Sequence, residues 1–301
     1  MAGPCVHDET IVVIHAAGVK ILPVFPPPLQ HFSLPAKLLP VSPEAISPAL
    51  KRPLPAITGP MPQPESKIDA ARPAVSIAVM CYNEAELLRD MVSRVHAVLH
   101  GLNKPFEILI VDDGSTDGSE AIADQLAAEH PDVRVLHHSP NLGIGYVLIN
   151  GYRQTTGDVV AILPADLQFA PEDLPQALDA LKDADVVNIR RPDRRDPPMR
   201  KLISRFDETL VGLLFGVWIK DLHWVKLYRR SVLDQLRIIS RTPMVDTELL
   251  IRSHKLGAKI VHLSLPHHPR TAGRSTGATL SRLIRTFADL WKLRWRMWFE
   301  K

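Results

Sequence analysis

The sequence predicts an α/β fold, a mostly parallel sheet between helices, with a proline-rich leader before it and an amphipathic helix after it. Three observations predict this. From Val75 onward, apolar runs of strand length alternate with segments whose apolar residues recur at helical spacing, the pattern of a sheet covered by helices. The 27 prolines among 301 residues are unevenly placed, 15 of them falling within residues 1–74. Residues 270–301 carry 8 basic and 2 acidic side chains, whereas residues 75–269 carry 22 and 26.

The elements follow in order. Proline removes backbone donors and fixes φ, so residues 1–73, with runs such as Pro26-Pro27-Pro28, are expected to form a disordered or extended leader. Residues 74–278 are long enough for one well-buried core. Val75–Cys81 is nearly continuously apolar, as expected of a strand buried on both faces. A helix over Glu84–Leu99 follows, with Asn83 as its expected N-cap. Next come a strand at Glu107–Val111, a helix from about Gly118 to Ala128, and a strand at Val133–His137. Gly145–Gln154 reads as helix and Val159–Leu163 as strand, and Pro171 is placed to open a helix running to about Leu181. Asp185–Ile189 and Ile260–Leu265 are further strands, and the apolar stretch from Leu210 to Ile219 is a core helix. In residues 279–301, Leu280, Leu283, Ile284, Phe287, Leu290, Trp291, Trp295 and Trp298 recur at helical spacing. Arg282, Arg285, Lys292, Arg294 and Arg296 interleave with them. The plain reading is a terminal helix packed on the core. The tryptophan density and the basic charge favour a helix lying at a membrane surface.

Several classes are excluded. Two cysteines, Cys5 and Cys81, make no disulfide framework and point to a reducing compartment. Asp8 and Glu9 precede the first apolar stretch where a secretory signal would be basic. No run of about 18 apolar residues is present to span a membrane, so a soluble or peripheral protein at the cytoplasmic face is expected. An acidic body with a basic tail does not suit a nucleic-acid binder and fits anionic lipid or phosphate better. A dinucleotide-binding Gly-x-Gly-x-x-Gly starting at Gly143 would need glycine where Leu148 stands.

Three expected strands end in polar turn sequence: Tyr82-Asn83-Glu84, then Asp112-Asp113-Gly114-Ser115-Thr116-Asp117-Gly118, then Ala165-Asp166-Leu167-Gln168. Any one of these reads as an ordinary capping loop. Together they share the carboxyl edge of the sheet, where open α/β sheets bind ligands. The series Asn141, Gly143, Gly145, Gly151, Gly157 and Asp158 lies between the second and third.

This ordered set resembles the family two glycosyltransferases of GT-A (Rossmann-like) fold, most closely the branch that makes dolichol-phosphate mannose and similar polyprenyl-phosphate sugars. Later matches are Lys226-Leu227-Tyr228-Arg229-Arg230, Asp246-Thr247-Glu248-Leu249-Leu250, and Arg270 with Gly273 and Ser275. The resemblance covers about residues 75–285 and implies an inverting hexosyltransferase using a GDP- or UDP-linked sugar. It assigns Asp166 and Gln168 to a Mg²⁺ or Mn²⁺ ion, and Tyr82, Asn83, Glu84, Asp112, Asp113, Asn141, Gly143 and Gly145 to the donor. Lys226 and Arg270 are further substrate-binding candidates. Among the basic residues from Arg190 to Arg205, Arg190 and Arg200 match the pair that grips an acceptor phosphate, with Ser204 nearby. Arginine suits that role because its planar fork donates two hydrogen bonds at once. A phosphate acceptor is already an anion, whereas a hydroxyl acceptor needs a general base, for which Asp246 or Glu248 is the candidate. As plain structure, Asp246 caps its helix.

The chain departs from the family pattern at three places. Pro164 stands where the first carboxylate of Asp-x-Asp is usual, Met80 where proline is common, and Trp224-Val225 where glycine and phenylalanine are usual. Three functions therefore remain open: transfer to a polyprenyl phosphate, transfer to a soluble or glycan hydroxyl, and nucleotide-sugar binding without turnover.

Overall fold

The computed structural model describes residues 10–15, 18–23, 72–192, 198–269 and 280–299. Within the proline-rich segment it describes one antiparallel ribbon, β1 (Thr10–His15) against β2 (Gly18–Pro23), in register from Thr10 opposite Pro23 to His15 opposite Gly18. Both strands are rich in valine and isoleucine, which suit an extended backbone. The proline runs that prompted the expectation of a leader lie outside the described residues.

The second unit is built on a seven-stranded sheet. Its strands are β3 (Val75–Cys81), β4 (Phe106–Asp112), β5 (Val133–His137), β6 (Val159–Pro164), β7 (Val186–Arg190), β8 (Lys226–Arg229) and β9 (Ile260–Ser264). They lie in the order β5-β4-β3-β6-β8-β7-β9. The pairings among β5, β4, β3 and β6 are parallel, as is β7 with β9. Strand β8 runs antiparallel between β6 and β7, with Tyr228 opposite both Val160 and Val186. The sheet is thus mixed, and the reversed strand brings Lys226 to the edge where the parallel strands end.

Alternation along β3 explains its unbroken apolar run. Val75, Ile77, Val79 and Cys81 enter one core with Leu88, Met91 and Val95 of α1 (Ala85–Gly101), Ala123 and Leu126 of α2 (Ser119–Glu129), and Leu174 of α4 (Leu174–Ala180). Ala78 enters the opposite core. It meets Val147, Leu148 and Tyr152 of α3 (Ile144–Gln154), Val232 of α6 (Arg230–Leu233) and Val245 and Leu249 of α7 (Val245–Lys255). Pro171 opens a 3₁₀ turn that leads into α4. Helix α5 (Pro198–Phe215) ends inside the stretch expected to be a core helix. Its Val211 and Phe215 pack with Leu250 and Ile251 of α7 and with Leu290 and Leu293 of α8 (Leu280–Phe299). The α/β reading therefore holds, and among the strands of this sheet β8 is the one that periodicity did not reveal.

One capping assignment is corrected. Asn83 does not cap α1: its φ is +54°, and Glu84 holds the N-cap position with no side-chain hydrogen bond to the helix's first amides. The first turn of α1 is instead capped from the neighbouring loop. Glu84 N–H donates to Ser119 Oγ at 3.0 Å and Ala85 N–H to Asp117 Oδ2 at 3.0 Å. Such borrowed acceptors satisfy the orphan donors as well as a local cap would.

Candidate active site

The loops leaving β3, β4 and β5 are bonded to one another. Asn83, turned into the left-handed region, accepts Thr116 N–H on Oδ1 at 2.8 Å and donates its own N–H to Ser115 Oγ at 2.9 Å. Tyr82 beside it is half exposed, at 51%. Adjacent Asp112 and Asp113 point to opposite sides and meet the adjacent histidines ending β5. Asp112 Oδ2 is 3.0 Å from His137 Nδ1, and Asp112 Oδ1 accepts from the Ser115 amide at 3.2 Å and from its hydroxyl. Asp113 Oδ1 is 2.8 Å from His138 Nδ1. The same carboxylate accepts Leu142 N–H and Gly143 N–H, each at 2.9 Å, while Asn141 Nδ2 donates to the Asp113 carbonyl at 2.7 Å. Asp113 therefore fixes the start of α3. Burial of the His137 ring works against its charged form, but the bonds to Asp112 and Asp124 outweigh it and raise its pKa.

Two glycines are required by close approach or conformation. Gly143 has φ +90°, and a Cβ on Gly145 would lie 2.2 Å from the Arg241 carbonyl oxygen. The loop ahead of α7 thus rests against the first turn of α3.

The loop after β6 is held by Ala165 N–H on the Met80 carbonyl at 3.1 Å and by His268 N–H on the Gln168 carbonyl at 3.1 Å. Asp166 is half-buried and accepts Gln168 N–H at 3.1 Å, with Leu167 between them at φ +56°. Among the described residues no group of three or more His, Cys, Asp or Glu is placed to hold a metal. The oxygens on offer, the Asp166 carboxylate and the Gln168 side-chain carbonyl, are hard donors. A magnesium-like ion bound by one carboxylate and completed by substrate phosphates fits that set.

The other half of the edge is more buried. Arg190 ends β7, and its Nε is buried with no hydrogen-bond partner. Arg191 is tied to Asp221 through Nε at 3.1 Å and Nη2 at 2.9 Å, and its guanidinium lies 4.3 Å from the centre of the Trp224 ring. Arg200 is in the first turn of α5 and its side chain lies outside the described residues; Ser204 follows one turn later, half-buried. Arg270 is also outside them.

Asp246, second residue of α7, accepts the Tyr152 hydroxyl at 2.9 Å, and its side chain remains 15% exposed. Lys226 does not reach the surface of the edge. Its side chain is fully buried, donates to the carbonyls of Leu222 at 2.8 Å and Trp224 at 2.7 Å, and stands 3.7 Å from Asp246. Burial pulls its pKa down while the Asp246 charge pulls it back up. Glu248 is turned inward. It accepts the amides of Ile239 and Ser240 and Arg252 Nε at 2.8–3.1 Å, tying the loop before α7 to the helix. The structure brings Asp246 to the edge and leaves Glu248 beneath it. The histidine partners of Asp112 and Asp113 and the Tyr152 partner of Asp246 escaped the sequence reading. The only signal was Asp112-Asp113 ending one strand and His137-His138 leaving the next.

A seven-stranded mixed sheet between helices, with polar turns gathered at its carboxyl edge, defines a glycosyltransferase of GT-A fold. Residues 76–237 match glycosyl transferase family 2, and the chain belongs to that family. It is 33% identical over 221 residues to an undecaprenyl-phosphate 4-deoxy-4-formamido-L-arabinose transferase of Sodalis glossinidius, covering 72% of this chain and 66% of that protein. The protein of the same name from Aeromonas hydrophila is 31% identical over 219 residues, with the same coverage. The chain thus spans just under two thirds of the length of these relatives. Among solved structures it resembles glucosyl-3-phosphoglycerate synthase from Mycobacterium tuberculosis, crystallised with Mn²⁺, UDP and glucosyl-3-phosphoglycerate. The TM-score is 0.57 at 18% identity, over 73% of this chain and 80% of that one, a likeness of fold.

Proposed function

We propose that the protein transfers a hexose from a nucleotide sugar to a polyprenyl phosphate, with inversion at the anomeric carbon. The observation that carries this reading is the buried, unpartnered Nε of Arg190 on the same sheet edge as the donor turns. A buried charged donor left unpaired is costly, and an anionic ligand would satisfy it. The names of the relatives, which act with undecaprenyl phosphate, supply the class of anion. In the proposed reaction an acceptor phosphate oxygen bonds to the anomeric carbon. The bond from that carbon to the diphosphate breaks, and its electron pair leaves on the diphosphate. Arg190 and Arg200 would draw in and orient the acceptor. Tyr82, Asn83 and the Asp112–Asp113 turn would hold the nucleotide, and Asp246 would face the reacting sugar. A divalent ion on Asp166 and Gln168 would supply charge neutralisation for the diphosphate.

The lipid acceptor implies a membrane surface. No helix of the described residues is long and apolar enough to cross a membrane. Phe287, Trp291, Trp295, Trp298 and Phe299 are exposed along α8, with Arg294 stacked on Trp298 at 4.9 Å. Leu202, Phe206 and Leu213 are exposed along α5. These features support peripheral binding at a membrane surface, for which the proposed side is the cytoplasmic face.

Purified protein given UDP- and GDP-sugars with Mn²⁺ should release nucleoside diphosphate only when polyprenyl phosphate is present, and should pellet with anionic vesicles. Release that follows a soluble or glycan hydroxyl instead would reassign the acceptor. Tight donor binding with no product over the whole acceptor panel would leave a binding protein. Failure to pellet would remove the membrane role.

A further inference from the structure

Asp246 stands in an unusual setting for a carboxylate offered to a substrate. Tyr152 is 1% exposed and donates its hydroxyl to Asp246 Oδ1 at 2.9 Å, across 94 positions of sequence. Behind the other oxygen, at 3.7 Å from Oδ2, sits the fully buried ammonium of Lys226. That ammonium is itself fixed by two carbonyls, those of Leu222 and Trp224. The Tyr152 ring meets the Tyr228 ring edge-on at 5.6 Å, so it has little freedom to turn. Tyr228 is equally buried, but its hydroxyl has no hydrogen-bond partner. Burial, then the Asp246 charge, pushes the Tyr152 phenol well above its ordinary pKa, so it remains a donor throughout the working range.

We infer that Tyr152 is a positioning residue for the transfer reaction: with Lys226 behind it, its phenol holds the Asp246 carboxylate in one orientation with an edge open to the cleft. Rotation of Asp246 about its side-chain torsions would break the Tyr152 bond and move an anion away from a buried ammonium. Both losses oppose rotation. Tyr152 sits in α3, and the Leu142 and Gly143 amides that lead into this helix are anchored to Asp113 in the donor turn. One helix and the residues leading into it therefore carry both the donor-turn anchor and the group that aims Asp246. A carboxylate prefixed in this way costs no reorganisation when charge develops at the sugar. The inference rests on the transferase reading above, because it assigns Asp246 a place beside the reacting sugar.

The test compares Tyr152→Phe, Tyr228→Phe, Asp246→Asn and the double variant Tyr152→Phe/Asp246→Asn in the donor–acceptor assay. Thermal melts of each variant check folding. Loss of one hydrogen bond to a charged group predicts a fall in kcat of about 10- to 100-fold for Tyr152→Phe. The donor KM should stay within about twofold, so that the loss falls on kcat and not on donor binding. Tyr228→Phe deletes an equally buried hydroxyl that is not bonded to Asp246, and its kcat should stay within about twofold of the parent. Adding Tyr152→Phe to Asp246→Asn should change kcat by less than about twofold, because the group it aims has been replaced. A Tyr152→Phe enzyme with the parent's kcat, a loss that falls on the donor KM instead of kcat, a full additional loss in the double variant, or equal losses from the two phenylalanine variants would each overturn the inference. A parent protein that transfers no sugar to any acceptor would overturn the transferase reading together with this role, and is distinguished by the unmodified chain alone.

Discussion

Replacing Asp207 with asparagine is expected to stabilise the protein at pH 8 and to lose that benefit as the pH falls towards 4. Asp207 lies on the inward face of α5, four residues from Ile203 and from Val211, and is 6% exposed. Its Oδ1 is buried without a hydrogen-bond partner. Burial, followed by the charge of neighbouring Glu208, raises its pKa from 3.8 to about 6. Glu208 cannot turn away at no cost, because it accepts Asp221 N–H at 2.9 Å. Below the unfolded value both states hold the proton and Asp207 exacts no penalty. Between that value and about 6 the unfolded chain has released the proton while the folded chain keeps it, so stability falls as pH rises. Above about 6 the penalty is complete. A gap of about two pH units, at about 1.4 kcal/mol per unit, gives about 3 kcal/mol. For a domain of this size that is about 6–12 °C in Tm. Urea unfolding of parent and variant at intervals from pH 4 to pH 8 measures the difference directly. The gain should grow up to about pH 6 and then level. A difference that does not change with pH, or a variant less stable than the parent at pH 8, would refute the reasoning.

Two further outcomes test the candidate site. Asp166→Ala should reduce nucleoside-diphosphate affinity with Mg²⁺ or Mn²⁺ to its metal-free value in calorimetry, and an unchanged affinity would remove Asp166 from the site. Gly145→Ala places a methyl group 2.2 Å from the Arg241 carbonyl oxygen. It should cost about 1–3 kcal/mol in urea unfolding and lower turnover by displacing the loop ahead of α7; stability within about 0.5 kcal/mol of the parent would contradict the close approach.

Much of the fold is legible because local periodicity and global layering agree. Val75–Cys81 reads as a doubly buried strand since alternate residues serve two cores, and α3 reads as a helix because Val147, Leu148 and Tyr152 fall on one face. Strand β8 does not announce itself. Its four residues, Lys226–Arg229, carry two cations, and they form a strand only because β6 and β7 supply partners on both sides. The cap of α1 is misread for a related reason. Asn83 has the chemistry of an N-cap, but Asp117 and Ser119, more than 30 positions away, reach the amides first.

The site divides along the same line. Residue types show which loops hold chemistry, and the topology gathers those loops at one edge, but neither shows which groups remain available there. Asp246 and Glu248 differ by two positions at the start of one helix. At helical geometry that separation points them to different sides. One side meets Tyr152 and Lys226 and stays partly exposed at the sheet edge; the other meets the amides of residues 239 and 240 and is closed by Arg252. The same sorting separates Arg190, with a buried donor unpaired, from Arg191, spent on Asp221. In each pair the chemistry is nearly identical, and the partner brought in from elsewhere in the chain decides which residue is closed off.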